Sequence, residues 1–388
     1  MSQSFDEITA QLKRRHRKSA RLKWLSMGAL ILAAAFLVVF ITDMLIKGLP
    51  AFQQAQIKVE VSYSEQASEI PLAALEEDVR SLVSRGFLRL IPGRMEDNPQ
   101  LLGTSPMQWV LADAQVDQYL KGHHSSLGAS ERATVERLAE QGRAELMFNT
   151  FFFTNGDSKL PEYAGIAAAA LGTVLTMIVT MLASFPVGVM TAIYLEEFAP
   201  DNRLTQIIEI NINNLAAVPS ILFGLLGLAI YINFFGVPRS SPLVGGLTLA
   251  LGTLPVIIIA TRTALRSVPD SIRQAAFAVG CSRWQVVKDH VLPLSLPGIL
   301  TGSIIGLAQA MGETAPLIIV GMVAFIPDIS ASFTDAATVM PAQIFTWASE
   351  PDRAFVEKTA GGILVLLAVL ITLNASAVWL RKKFERRW

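Results

Sequence analysis

The sequence predicts an all-α integral membrane protein, six transmembrane helices with a small extramembrane domain inserted between the first and the second. Three observations carry that reading. Hydrophobic residues make up 52% of the 388 and charged residues 16%, with a mean hydropathy of +0.45, too apolar for an ordinary soluble domain. Apolar stretches of the roughly 20 residues that a helix needs to cross a bilayer recur along the chain. Basic residues gather beside alternate stretches, as the positive-inside rule requires. Lys+Arg and Asp+Glu both total 32, so net charge gives no footing for nucleic acid and only the placement of charge informs.

The first span reads from Trp24 to Ile46. Residues 1–23 carry Lys13, Arg14, Arg15, Arg17, Lys18, Arg21 and Lys23, a basic flank that predicts a cytoplasmic N-terminus. The apolar stretch is too long for a signal peptide and no small-residue cleavage site follows it, so it reads as a retained anchor. Residues 47–160 are polar and of mixed charge, a small periplasmic domain on the far side of the membrane. Within it, the run from Ser130 to Gln141 reads as an amphipathic helix capped by Ser130, and Pro92-Gly93 and Asn155-Gly156-Asp157 read as turns. His123-His124, flanked by Gly122 and Ser125, reads as a solvated loop in preference to a metal site.

Residues 161–388 hold the other five spans. Span two reads as 164–195 with Pro186 and Gly188 inside, span three as 210–235, span four as 243–261, span five as 296–325 interrupted by Glu313, and span six as 359–380. Alternation from an inside N-terminus places the 262–293 loop and the C-terminus inside. These carry Arg262, Arg266, Arg273, Arg283 and Lys288, then Arg381, Lys382, Lys383, Arg386 and Arg387. The acidic Glu196-Glu197 turn is the exception, and acids weigh little in orientation. The lone cysteine, Cys281, excludes an intramolecular disulfide and a multi-cysteine metal site and reads as a free thiol.

Between spans four and five, residues 271–293 read as two short helices hinged at a glycine. Gln274-Ala275-Ala276 offers small side chains for packing, Gly280 permits a left-handed turn, Ser282 caps the second helix, and Pro293 limits it before span five. This resembles the EAA loop of ABC importer permeases: Glu-Ala-Ala, three residues, Gly, nine residues, Ile, one residue, Leu-Pro. The spacing matches through Leu292-Pro293, with Gln274 in place of the usual Glu and His290 in place of the usual Ile. The resemblance implies the fold of type I (MetI-like) importer permeases and a loop that docks into a groove of an ATPase subunit. It would pass nucleotide-driven closure to the spans as a rigid-body motion. No Gly-x-x-x-x-Gly-Lys-Ser/Thr occurs, so the expectation is a transport subunit that is not itself an enzyme, with ATP and Mg held by a separate ATPase chain.

Ile193-Tyr-Leu-Glu196-Glu197, Ala217-Val-Pro219-Ser220-Ile-Leu-Phe-Gly224 and Gly312-Glu313-Thr314-Ala315-Pro316-Leu317 are similar to the phosphate permeases of the PstA family. With the coupling loop, the likeness covers about residues 160–388, and 47–150 looks like the added segment of that family's longer forms. It implies two ATPase copies, a second permease of the PstC kind, a periplasmic phosphate-binding protein and the bacterial inner membrane. A carboxylate within a span costs about 2.5–3.5 kcal/mol, so Glu313 should face a polar path or a partner. It would hold a cation or share a proton there, or else bond a neighbouring helix. Gly312 and Thr314 offer backbone and hydroxyl contacts for an oxyanion. Gln309 stands where that family has an arginine, which leaves the path's positive charge to Arg262 or to the partner permease; Arg262 could equally snorkel at the end of span four. Asn211 and Asn214 share a helix face at the inner mouth or bond a neighbouring helix. Pro219, Pro255 and Pro316 allow local breaks where backbone lines a cavity. Three alternatives stay open: a permease for sulfate or molybdate, a membrane sensor with a periplasmic ligand domain, and a secondary transporter. The sensor would need an output domain larger than the eight residues after span six, and the secondary transporter would need inverted repeats.

Overall fold

The computed structural model describes residues 5–384; the predicted C-terminal basic pair Arg386 and Arg387 lies outside them. The first helix, α1, runs from Phe5 to Gly48 and so carries the first span back through the basic flank. It meets the rest of the chain at its far end, where Gly48 lies against Ala360 and Leu364 and Gly361 lies against Ala51. Small residues at that crossing let two backbones approach without a hydrophobic driving force between them.

The segment after α1 folds as an α+β unit, and its sheet was not read from the sequence. Strands β1 (Gln53–Glu60), β2 (Met107–Leu111) and β3 (Ala144–Phe148) pair antiparallel in the order β2-β1-β3, with Ile57 opposite both Val110 and Ala144. Along β1 the buried residues Ala55, Ile57 and Val59 alternate, so one face of the strand enters a core that also holds Leu82, Ile91, Val116 and Val135. Helices α2 (Arg85–Asp97), α3 (Ala114–Leu120) and α4 (Ala129–Glu140) supply the rest of this unit. Pro92-Gly93 is not a turn: it lies inside α2, because Phe87, Leu88, Ile91 and Met95 bury at helical spacing and that face outweighs one lost backbone bond. Nor is Ser130 the cap of α4. The helix starts one residue earlier, where the Glu131 carboxylate accepts from the Gly128 N–H at 2.9 Å. Asn155-Gly156-Asp157 is irregular, as expected, and is held by Trp347, whose indole N–H donates to Asp157 at 3.0 Å.

Among the described residues, five helices are long and apolar enough to cross a membrane, and a bent pair taken together makes a sixth span. The five are α1, α5 (Ala167–Phe198), α8 (Pro242–Arg266), α10 (Arg283–Gly312) and the last helix, α13 (Ala354–Phe384). The pair is α6 (Arg203–Ala216) and α7 (Ser220–Phe234), bent by 103° at the Pro219 break. The stretch 210–235 read as one span is therefore not one straight helix: 210–216 belong to α6, and α7 follows beyond the bend. In the centre, Gly188 and Gly246 let α5 and α8 touch, Gly298 and Gly302 bring α10 onto Ala264 and Ala260 of α8, and Thr180 donates across to the Gly246 carbonyl at 3.2 Å.

Two proline readings need correction. Pro255 is buried within an unbroken α8, held by α5 and α10 on either side. Pro293 does not end the second loop helix: from Arg283 the helix runs through a π-helical turn at Val286–Val291 into the span, and Pro293 sits at the start of the next α-helical stretch. A missing N–H costs little there. Span five is interrupted at Glu313 as expected, but its helix starts at Arg283, earlier than the 296 read, and does not continue unbroken to 325. Gly312 ends α10, Glu313 is extended at φ −77° and ψ 114°, and a short α11 (Ala315–Ile319) follows. Beyond it, α12 (Met340–Ala348) returns before span six and was not foreseen.

The α+β unit is fastened to span six by buried charge. Lys121 of α3 bonds Asp117 at 2.7 Å and Glu357 of α13 at 2.5 Å, and Gln118 donates to the same Glu357 at 2.8 Å. His123 joins this cluster from its half-exposed position, its Nδ1 3.2 Å from the Gln118 amide oxygen. Lys358 donates to the Ala164 carbonyl at 3.3 Å, and Gln54 donates to the Glu162 carbonyl at 2.5 Å. Burial pushes the Glu162 carboxyl above its ordinary pKa, while the hydroxyl of Ser84 donates to it and pulls the other way.

Candidate translocation path and coupling loop

The two helix breaks of the membrane core meet. Gly224 of α7 lies against Pro316 of α11: a Cβ there would come within 2.8 Å of the Pro316 Cα and 3.0 Å of the Ile319 Cβ. Only a glycine lets the Pro219 break and the Glu313 break pack this closely. Between them and α8 lies a cavity of about 170 Å³, lined among others by Ser220, Thr248, Thr253, Gln309, Glu313 and Pro316. Thr248 and Thr253 sit 18 and 13 residues before Arg266, which puts the cavity about 20 to 27 Å from the inner end of α8.

Of the residues singled out in the sequence, Ser220, Gln309, Glu313 and Pro316 are brought together here. Glu313 and Ser220 are half-buried and Gln309 is exposed. Gly312 and Thr314 flank Glu313 but do not line the cavity. Asn211 and Asn214 are elsewhere, exposed on α6, and Asn211 donates to the Ile207 carbonyl of its own helix at 2.8 Å. They lie on α6, before the bend at Pro219, and do not line the cavity.

Arg262 does not line this cavity and its head is ion-paired. It donates to Glu196 at 3.2 Å and to Glu209 at 2.6 Å, and Arg266 bonds the same Glu196 at 2.7 Å. The acidic turn that ran against the charge pattern is thus the counter-charge for α8. Among the described residues no lysine or arginine lines the cavity. The sequence reading missed Thr248, whose buried hydroxyl finds no partner and lines the cavity beside Gly227. A hydroxyl facing inward from an apolar span was the available signal.

The coupling loop folds as two helices, α9 (Asp270–Ala278) and the start of α10, with Gly280 between them at φ +92°. Ser282 caps the second, accepting from the Gln285 N–H at 3.4 Å. Ala276 is buried among Leu265, Val268, Val286 and Val291, so one face of the loop is packed on the end of α8. Arg273 holds it there by donating to the Leu265 and Val268 carbonyls at 3.0 and 2.7 Å and to Glu197 at 2.7 Å. The Glu197 carboxylate raises the Arg273 pKa above its ordinary value, against the opposing effect of burial. The other face is free: Gln274, Ala275, Phe277, Val279 and Trp284 are exposed, as are His290 and Pro293, with Leu292 half-buried.

A Cβ at Gly280 would meet no neighbour within 4 Å, so the first cost of a side chain there is backbone strain. A side chain in the left-handed region costs about 1–2 kcal/mol, more when β-branched. Gly280→Val is expected to reorient α9 against α10 and abolish co-purification of an ATPase while the spans still insert. Undiminished capture would remove the loop from the coupling.

Residues 184–388 match the family described as binding-protein-dependent transport system inner membrane component, and residues 9–91 match a domain family of unknown function, DUF3333. The phosphate transport system permease protein PstA 1 of Mycobacterium tuberculosis (strain CDC 1551 / Oshkosh) is 32% identical over 231 residues, 59% of this chain and 75% of its own length. The PstA protein of Mycobacterium leprae (strain TN) is 31% identical over 230 residues, 58% of this chain and 74% of its own. A solved structure of the MetNI methionine ABC transporter in inward-facing conformations superposes at a TM-score of 0.44 and 18% identity, over 55% of this chain and 95% of that one.

Proposed function

The chain belongs to the family of binding-protein-dependent transport system inner membrane components, and we propose that it is the permease subunit of an ATP-driven phosphate importer. One observation supports the path more than any other: two helix breaks converge on a single cavity that holds one carboxylate, one amide and several hydroxyls within an apolar bundle. Irregular backbone at membrane depth is tolerated where it lines a cavity. The chain carries no fuel site of its own. ATP and Mg are bound by two copies of a separate ATPase that dock on the exposed face of the coupling loop, and a periplasmic binding protein delivers phosphate. The N- and C-termini face the cytoplasm of a bacterial cell, and residues 47–160 face the periplasm.

Phosphate is an anion, and among the described residues the cavity offers it hydrogen-bond donors but no cationic side chain. Ser220, Thr248 and Gln309 can donate to an oxyanion, while Gly312 and Thr314 stand outside the cavity and serve only to position Glu313. With Arg262 engaged by Glu196 and Glu209, the balancing charge comes from the facing second permease, of the PstC kind, or from a cation or proton held by Glu313. The same donors suit sulfate or molybdate, so the substrate is decided by competition. Reconstituted with the ATPase and the second permease, the chain is expected to support phosphate uptake only with ATP and binding protein present. Uptake without the ATPase, or equal uptake of sulfate, would overturn the proposal.

A further inference from the structure

The membrane end of the α+β unit carries an aromatic stack that no part of the path uses. Phe153 lies between Phe52 and Phe148, with ring centroids 5.6 Å and 5.7 Å away and planes tilted by 22° and 4°. Phe152 meets Phe52 and Phe153 edge-on and is fully buried. The outer members are not: Phe148 is 62% and Phe153 41% exposed.

The height of this stack is fixed by three spans. Phe52 closes the short 3-10 turn that directly follows α1. The Phe152 carbonyl accepts from the N–H of Ile166, the residue that caps α5, at 2.8 Å. Phe152 also touches Gly361, where the apolar stretch of α13 begins. Spans one, two and six thus leave the bilayer at the level of these rings. The exposed Leu45, Ile46 and Leu49 lead up to them along α1, and the exposed ion pair Asp43–Lys47 marks where the polar zone starts.

We infer that Phe148 and Phe153 sit in the headgroup zone of the leaflet at which the domain emerges, holding β3 against the lipid. Apolar faces that carry Phe, Trp and Leu settle at that depth, and taking such rings out of water is favourable. The lipid contact of α1 therefore continues onto the domain. Together with the buried charges at Glu357, this gives the domain two attachments, one to span six and one to the bilayer.

The test uses the single cysteine. In the assembled transporter in liposomes, Cys281→Ser removes the native thiol, and Phe148→Cys, Phe153→Cys and Leu102→Cys each take one spin label. Leu102 is exposed beyond the far end of β1, about 25 Å away along the strand. Power saturation then reads collisions with oxygen and with a water-soluble nickel chelate. At 148 and 153 the oxygen-to-nickel ratio is expected to be at least about threefold higher than at 102, as for an apolar face set about 5–10 Å into the interface. A ratio equal to that at 102 would place the rings in water. Exclusion of both reagents would place them under a protein partner. Either result overturns the inference, and the two label sites report independently.

Discussion

Glu357→Ala is expected to loosen the α+β unit from span six and to destabilise the protein by about 3–5 kcal/mol, the cost of leaving a buried charge without its partner. Lys121 is 4% and Glu357 6% exposed, and they meet at 2.5 Å. Removing the carboxylate leaves the ammonium with Asp117 alone and strips Gln118 of its acceptor. The change should show as a lowered apparent Tm of the purified complex and as faster proteolysis between residues 47 and 160. Lys121→Met with Glu357→Met should recover much of the loss, because a buried pair replaced by apolar side chains is often neutral. Asp117 then still accepts from the Ala55 N–H at 2.7 Å. A double variant as unstable as the single one would mean that the contact acts through shape and not through charge.

That attachment illustrates what the sequence left hidden. Spans, coupling loop and the interruption at Glu313 were all legible because each leaves a local mark: an apolar run, a glycine in register, a carboxylate where none is cheap. The 103° bend at Pro219 was legible only as a proline, since whether a proline kinks a helix depends on its neighbours. Pro255 stays helical between α5 and α10, whereas Pro219 has a break beside it packed on Pro316. Partners across the fold leave no mark at all. Glu357 follows Lys121 by 236 residues and Glu209 precedes Arg262 by 53, so Arg262 looked available for substrate when it was already engaged. The sheet escaped for another reason: β1 alternates only briefly, since Gln53 opens its inward face and leaves Ala55, Ile57 and Val59 as the apolar positions of the strand.

One element connects the two ends of the proposed mechanism. Helix α10 runs without interruption from Arg283 in the coupling loop to Gly312, 30 residues or about 45 Å. A rotation imposed on the loop is delivered at its far end to Glu313. Because α11 after the break is packed on α7, the same movement reaches the second break at Ser220. A packed bundle passes on such a motion as a rigid shift, since its contacts are either kept or exchanged.

Glu313→Gln should then separate a carboxylate that organises the path from one that only joins helices. Glutamine keeps the size and the hydrogen-bonding capacity and removes only the charge. The Glu313 side chain makes no hydrogen bond or ion pair among the described residues, although it sits half-buried at the mouth of the cavity. Loss of a helix-joining contact is therefore not expected, and assembly and basal ATP hydrolysis should persist. Phosphate uptake should fall at least about tenfold, the equivalent of roughly 1.4 kcal/mol in the transport barrier. On the proposed reading the carboxylate would supply a place to hold a cation or a proton opposite an anion. The comparison variant is Asn211→Ala on the displaced face of α6, where uptake should stay near normal. Normal uptake by a fully assembled Glu313→Gln complex would leave the carboxylate without a part in transport and move the search for the substrate's balancing charge to the second permease.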